Sequence, residues 1–354
     1  MIRYARRPKV YPDRMRLRRP LLLLATLLLV PACGGGGGGG SSADPAAYPA
    51  TPTGGSGGTA GGGFLSPLTP LNTSSPNHTI NTSQSADLVT AALQAALTAG
   101  GIIVFNNAGP VTITLTAELS LPAFQTAIID GNNSVTLSGG NTRRILQKGY
   151  LSLLTVQRLR FIDARTPSSG AAINVENWDG ALTVIDCDFE NCKTTSAGPD
   201  IGGGAIRATG QTHLQISACT FLDCWGGNGG AVVSLGCQLT IIDSTFDTCL
   251  AFGTGGGADQ GPSGQGGIGG AVYIDGVSQN AASPQFRLSG SVFRNNQAND
   301  HAGAVFGYTI DGTGSSTTVD ACTFSGNVVS GINANVASSG AFYTQNGNTT
   351  FTDS

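Results

Sequence analysis

Lysine is nearly missing from this chain: beyond residue 32 only Lys148 and Lys193 occur. Setting aside residues 1–32 leaves ten Lys plus Arg against twenty Asp plus Glu, a balance of −10 that the whole-chain value of −3 conceals. A field of that sign argues against nucleic acid and against polyanions in general, unless a local basic patch intervenes. Histidine is scarce too, with three residues in 354. That leaves only His213 near the cysteines, too few imidazoles for a mixed zinc site, and no metal is expected. Also missing are a nucleotide-binding loop, a nucleophile elbow, a zinc-protease motif and the glycine-rich calcium repeat, so no cofactor is expected.

What stands at the start is an export signal. Residues 1–19 hold eight Lys or Arg against one Asp, and LLLLATLLLV at 21–30 is a ten-residue apolar core ending in Pro31, Ala32 and Cys33. Ten residues are short for a membrane-spanning helix and suit a secretory core, with Met1 and Met15 both available as the start. VPAC before seven glycines resembles a bacterial lipoprotein signal, in which Cys33 becomes the lipidated first residue; ordinary secretory cleavage and an uncleaved anchor are the alternatives. Acyl chains would hold the protein on a membrane surface rather than across it. Residues 33–85, dominated by Gly, Ser, Thr, Pro, Ala and Asn, read as a flexible tether. The chain thus divides into a signal peptide at 1–32, the tether, and a folded region at 86–354.

Aromatics make up only 6% of the chain, yet six of its 14 Phe fall in one pattern. Phe161, Phe189, Phe221, Phe246, Phe293 and Phe324 each close an alternating apolar run such as LTVIDCDF or LTIIDSTF. Between them lie SGAAI, GGAI, GGAV, GGAV and AGAV, with SGAF after the last. A unit of this size with two short strands has too little of its own to bury and must stack on copies of itself, which predicts a parallel β-solenoid. ADLVTAALQAALTAGG predicts a helix at the start of the stack, with Leu88, Ala92, Leu93, Ala95, Ala96 and Leu97 on its apolar side, covering the open strand edges. Two less regular coils and six repeats give roughly eight coils at about 4.8 Å spacing, a rod about 35–40 Å long.

Register follows from counting relative to each Phe. Leu154, Leu182, Leu214 and Leu239 share one position, and Val156, Val184, Ile216 and Ile241 another, so both are expected to form aliphatic ladders. Arg158 shares a position with Asp186 and Asp243, and Arg160 with Asp188, which predicts ion pairs between neighbouring coils. Cys187, Cys219 and Cys322 lie two before a Phe, and Cys192, Cys224 and Cys249 three after one. Stacked thiols are small buried hydrophobes that could instead oxidise, for example Cys187 with Cys219 or Cys192 with Cys224; Cys237 lies outside both columns. The final TTFTDS aligns with TTVDAC before Phe324, so the last coil is expected to be incomplete.

The alternation of GGA-Ile/Val with FRNN, FSGN, FENC, FLDC and FDTC resembles the polymorphic outer membrane protein repeats of chlamydial autotransporters. More broadly, it is similar to right-handed parallel β-helix proteins of pectin-lyase-like fold. The resemblance covers about residues 150–341 and implies an all-β, right-handed parallel β-helix; it carries no residue of an active site onto this chain.

Function is expected on loops held by the rack. From each Phe to the next repeat alanine the distances are 10, 16, 10, 25, 11 and 17 residues, so excursions lengthen in alternate coils. Asp200 and Asp259 on the longer loops, with Asp300 and His301, are the candidate ligand-binding residues; His301 beside Asp300 is the best acid-base pair. Arg143, Arg144, Lys148, Arg158, Arg160 and Arg165 could meet a polyanion on the first coils, and Trp178 and Trp225 could stack on sugars. No paired-carboxylate or HG pattern of a polysaccharide hydrolase is present, and no catalytic residue is assigned. The leading expectation is a non-catalytic outer-membrane or cell-surface lipoprotein, or a secreted form, serving adhesion and binding a glycan or surface protein. The alternative is a carbohydrate-active enzyme or glycan-binding module.

Overall fold

The computed structural model describes residues 65–176, 179–254, 266–276, 285–308, 315–330, 340–345 and 348–354. The strands build the expected all-β, right-handed parallel β-helix. Every pairing between named strands is parallel, and three sheets run along the stack, the smallest starting at Arg165–Thr166. The largest has 16 strands, the next eight and the shortest six. Eight strands, from Leu119–Leu121 to Phe342–Gln345, therefore mark about eight turns among the described residues.

The register is the one counted from the Phe residues. Phe161, Phe189, Phe221, Phe246, Phe293 and Phe324 pair coil to coil. Their rings stack face to face at centroid separations between 4.5 and 5.0 Å, close to the strand spacing that imposes them. The Leu154 and Val156 ladders align as expected and continue into Phe286 and Leu288. A third interior column, Ile173, Ile206, Val232, Val272, Val305 and Phe342, comes from the eight-stranded sheet. Each fully buried aliphatic or aromatic side chain in such a column contributes about 1.5–3 kcal/mol relative to exposure.

The GGA motif is the corner before that third column. Gly203 takes φ of 64°, and a Cβ there would lie 2.2 Å from the carbonyl oxygen of Ile206. Its neighbour Gly204 lies against the next coil, where a Cβ would meet Gly230 O at 2.5 Å. The alanine that follows, Ala205, is fully buried. One glycine turns the chain, the other lets two coils touch, and the alanine fits the inside of the corner.

A helix, Ala86–Ala99, packs on Leu119–Leu121 and the opening strands, covering the start of the stack. Its buried face is Val89, Thr90, Leu93, Ala96 and Leu97. Leu88 is 56% exposed and Ala95 is exposed as well, so the apolar side is rotated from the one expected. Val89, Leu93 and Leu97 supply an i, i+4, i+8 stripe without them.

Two groups of expectations differ from the structure. Arg160 is in register with Asp188, but its guanidinium pairs with Glu190, and Arg158 pairs with Asp130 of the preceding coil rather than with Asp186. A bulge between Asp130 and Val135 puts Asp130 outside any count made from a Phe. The other concerns the end of the expected tether: residues Leu65–Thr73 lie along the rod, and His78–Asn81 pairs in register with Gly101–Asn106. The expected signal peptide at 1–32 and Cys33 lie outside the described residues. No helix among the described residues is long and apolar enough to cross a membrane.

Candidate functional site

The corner that the glycines turn is where the longer loops leave. Gly202, Asn228, Ile268 and His301 occupy successive coils at one position of that corner, joined by short parallel bridges and backbone hydrogen bonds. Asn228 is fully buried and acts as the clasp. Its Nδ2 donates to the carbonyls of Gly198 and Pro199 at 2.9 and 2.6 Å, while its Oδ1 accepts the Ile268 N–H at 3.3 Å. Gly267 N–H donates to Gly227 O at 2.7 Å and Asp300 N–H to Gly267 O at 2.8 Å. Loops from successive coils are thereby fastened into one shelf.

The candidate residues sit on that shelf at different depths. Asp200 is exposed at the tip of its loop. Asp300 is buried, and its Oδ1 lies 3.0 Å from His301 Nδ1. The His301 ring stands 6.4 Å from Phe306 and 6.0 Å from Tyr343, centroid to centroid. Asp259 lies outside the described residues, as does Trp178. The coil of Asp200 and that of His301 are three steps apart, about 14 Å of backbone. Glycoside hydrolases hold their two carboxyls about 5–9.5 Å apart, so Asp200 and Asp300 do not form such a pair.

Beside the shelf, the outer face of the eight-stranded sheet carries a column that the search for acids and histidines missed. Gln147, Asn174, Arg207, Val233, Tyr273, Phe306 and Tyr343 are in register, polar in the first coils and aromatic in the last. Tyr273 and Phe306 are buried, with centroids 5.7 Å apart, and Tyr343 follows at 5.3 Å. In the polar half, Asn174 Nδ2 donates to Gln147 Oε1 at 2.9 Å, and Arg207 lies 4.0 Å from Glu176. Burial pulls the Arg207 guanidinium below its ordinary pKa, against the opposing fields of Glu176 and Asp200. Asn174 Oδ1 and Arg207 Nε, an acceptor and a donor in adjacent coils, are buried without a protein partner. The signal was in the repeat itself: each of these residues from Asn174 onward directly follows the apolar residue that ends the Gly-Ala motif.

The basic set expected on the first coils does not share a face. Lys148 points into the interior, fully buried, with its Nζ 2.8 Å from Gln211 Oε1, and burial pulls its pKa down to about 8. Arg144 is held by Glu118, Gln147 and Ser168 and by the carbonyls of Ser169 and Gly170. Trp225 is 38% exposed, with Lys193 Nζ 3.8 Å from its ring centroid and its Nε1 donating to Asp223 at 2.7 Å.

The seven described cysteines are free thiols, six of them in the two columns counted from the Phe residues and Cys237 apart from both. Cys192, Cys224 and Cys249 each place Sγ 3.7 Å from the Phe carbonyl of the preceding coil, at Phe161, Phe189 and Phe221. Asn296 and Asn327 continue the same column and donate through Nδ2 to Phe246 O and Phe293 O at 3.1 and 2.8 Å. The thiol is thus a smaller stand-in for the amide. Burial pushes the Cys187 and Cys192 thiols well above their ordinary range, and Cys219 to about 12. Thiols so shifted are poor nucleophiles and poor metal ligands.

The family described as right handed beta helix region matches residues 146–354, and the chain belongs to that family. No curated protein and no solved structure matches the chain.

Proposed function

We propose that this right-handed β-helix protein is an exported, envelope-anchored scaffold whose loop-bearing side serves adhesion or surface interaction without catalysis. The observation that carries this reading is the Asn228 clasp. Joining loops of successive coils through a buried amide makes a continuous preorganised surface, which lowers the ordering cost of binding an extended partner. The signal-like residues 1–32 and Cys33 supply export and a lipid anchor in this reading. Two experiments test it. Growth with a labelled fatty acid should tag the protein and not Cys33→Ser; no label on either removes the anchor. Purified protein should bind an envelope or host surface protein saturably and release no product from an array of polysaccharides. Product release would overturn the scaffold reading.

A second reading, a glycan-binding module or carbohydrate-active enzyme, is favoured by the partly exposed ring of Trp225, an aromatic face on which a sugar could stack. It predicts that Trp225→Ala weakens polysaccharide binding at least tenfold. Equal binding by the variant, or none by either protein, removes it.

A further inference from the structure

The segment before the helix approaches the rod from an unexpected direction. Leu65, Leu68 and Leu71 each donate their backbone N–H to a side chain of the large sheet, at Ser289 Oγ, Ser217 Oγ and Gln157 Oε1, over 3.0, 2.8 and 2.8 Å. Thr73 Oγ1 then donates to Asp130 Oδ2 at 2.6 Å. All four acceptors lie in a single outward column, Asp130, Gln157, Ile185, Ser217, Ile242, Ser289 and Asp320. Polar acceptors alternate there with Ile185 and Ile242, which face outward yet are buried.

The sequence Leu65-Ser66-Pro67-Leu68-Thr69-Pro70-Leu71 explains the match. A chain held extended by proline returns to the same orientation every third residue, after about 9.3 Å, and two coils advance about 9.6 Å. Each triplet therefore offers one inward N–H for every second coil. Pro67 and Pro70 have no N–H, and Ser66 and Thr69 are exposed, so the strap leaves no donor facing the sheet without an acceptor.

The strap runs from the coil of Ser289 to the coil of Asp130, five steps or about 24 Å toward the helix-covered end. We infer that whatever precedes Leu65 is attached to the rod beside its C-terminal coils, so a molecule held by its N-terminal segment presents its helix-covered end outward. That end displays Phe124 and Tyr150, edge to face at 5.8 Å, with Leu151 and Leu88 also exposed. This inference rests on the anchored reading for its biological setting, while the direction of attachment is a property of the strap alone.

The test separates the two. Every described cysteine is buried, so in full chain made in the cytoplasm, where no lipid is added, the free thiol of Cys33 can be coupled to a maleimide lipid in vesicles, and natural lipidation is read separately. A dye is placed through an azido-phenylalanine at position 124 or 351, and energy transfer to an acceptor lipid is read. Transfer from position 351 should exceed that from 124 at least twofold. A second protein, carrying Gln157→Leu, Ser217→Ala and Ser289→Ala, should bring the two values together. Equal transfer in the parent protein, or stronger transfer from 124, overturns the inference. Absence of natural lipidation with the twofold ratio intact would remove the anchor and leave the direction of attachment standing.

Discussion

Gln157 and Leu71 exchange two hydrogen bonds: Leu71 N–H donates to Gln157 Oε1 at 2.8 Å, and Gln157 Nε2 donates back to Leu71 O at 2.9 Å. A side-chain amide here imitates the edge of a strand. It allows a segment running along the rod to bond to strands that run across it.

Because Gln157 is fully buried, removing its amide leaves both polar groups of Leu71 without partners. Gln157→Leu should lower unfolding free energy by about 1–3 kcal/mol. Hydrogen exchange should show the loss first at Leu68 and Leu71; unchanged protection there would refute the role assigned to the pair.

Phe221 has a ring on each side, at 4.8 and 4.5 Å. Phe221→Ala should cost about 3–5 kcal/mol in denaturant unfolding and Phe221→Leu less, since the rigid coils on either side cannot close the gap. A cost under 1 kcal/mol for the alanine variant would mean the ladder is not continuous.

Native thiols should be inert. All seven described thiols are buried; burial raises Cys219 to about 12 and Cys237 to about 11, and although it also pushes Cys224 up, hydrogen bonds from Cys192 and Cys249 bring that thiol down. Lack of access is therefore what should leave all seven unmodified by a thiol-specific dye at pH 8, and denaturant should expose all seven. Rapid labelling of Cys192 or Cys224 in the folded protein would contradict the stacked arrangement. Cys249→Asn should be tolerated, because Asn296 already fills that role one coil later.

Lys148 makes stability depend on alkaline pH. Its pKa is about 8 folded against 10.5 in the ordinary state, so between these values the unfolded chain binds the extra proton and stability rises with pH. Lys148→Met should be more stable than the parent at pH 7 and should abolish that rise, read by denaturant midpoints from pH 7 to 10. A parent curve flat across this range would show the ammonium to be solvated.

Asp130 sets the acid limit. Burial pushes its carboxyl up, but Arg158, Thr73, Gln157 and the Asn132 N–H together hold it below 3.8. Its contribution is present above pH 3.8 and is lost as pH falls through the lower folded value. Asp130→Asn should lose that acid sensitivity while being less stable by about 2–4 kcal/mol at pH 7, because it leaves Arg158 without its charge partner. Equal melting at pH 7 would refute the pairing.

The fold was legible because the repeat is carried by side chains that stack on their own kind. Phe221 on Phe246, Leu182 on Leu214 and Cys192 on Cys224 can be found by counting alone. Ion pairs were less legible, since Arg158 and Arg160 reach beyond their register partners to Asp130 and Glu190. The strap was hidden by its composition: Leu, Ser, Thr and Pro resemble a linker until the triplet spacing is set beside alternate polar residues such as Ser217 and Ser289. On the loop side, Asp300 with His301 was visible as adjacent letters. Asn228 and Arg207 were not, because their importance comes from burial inside a motif read as purely structural.

Solenoids commonly grow or shrink by duplicating one repeat, but the strap makes the number of coils beneath it a matter of parity. Inserting a single coil between those of Gln157 and Ser289 would bring the next leucine N–H over an isoleucine instead of an acceptor. Coils in this stretch can be gained or lost without a mismatch only in pairs, each pair with one Leu-x-Pro triplet. The short proline-rich segment is therefore a template for the length of the rod, and lineages that change one are expected to change the other by the same step.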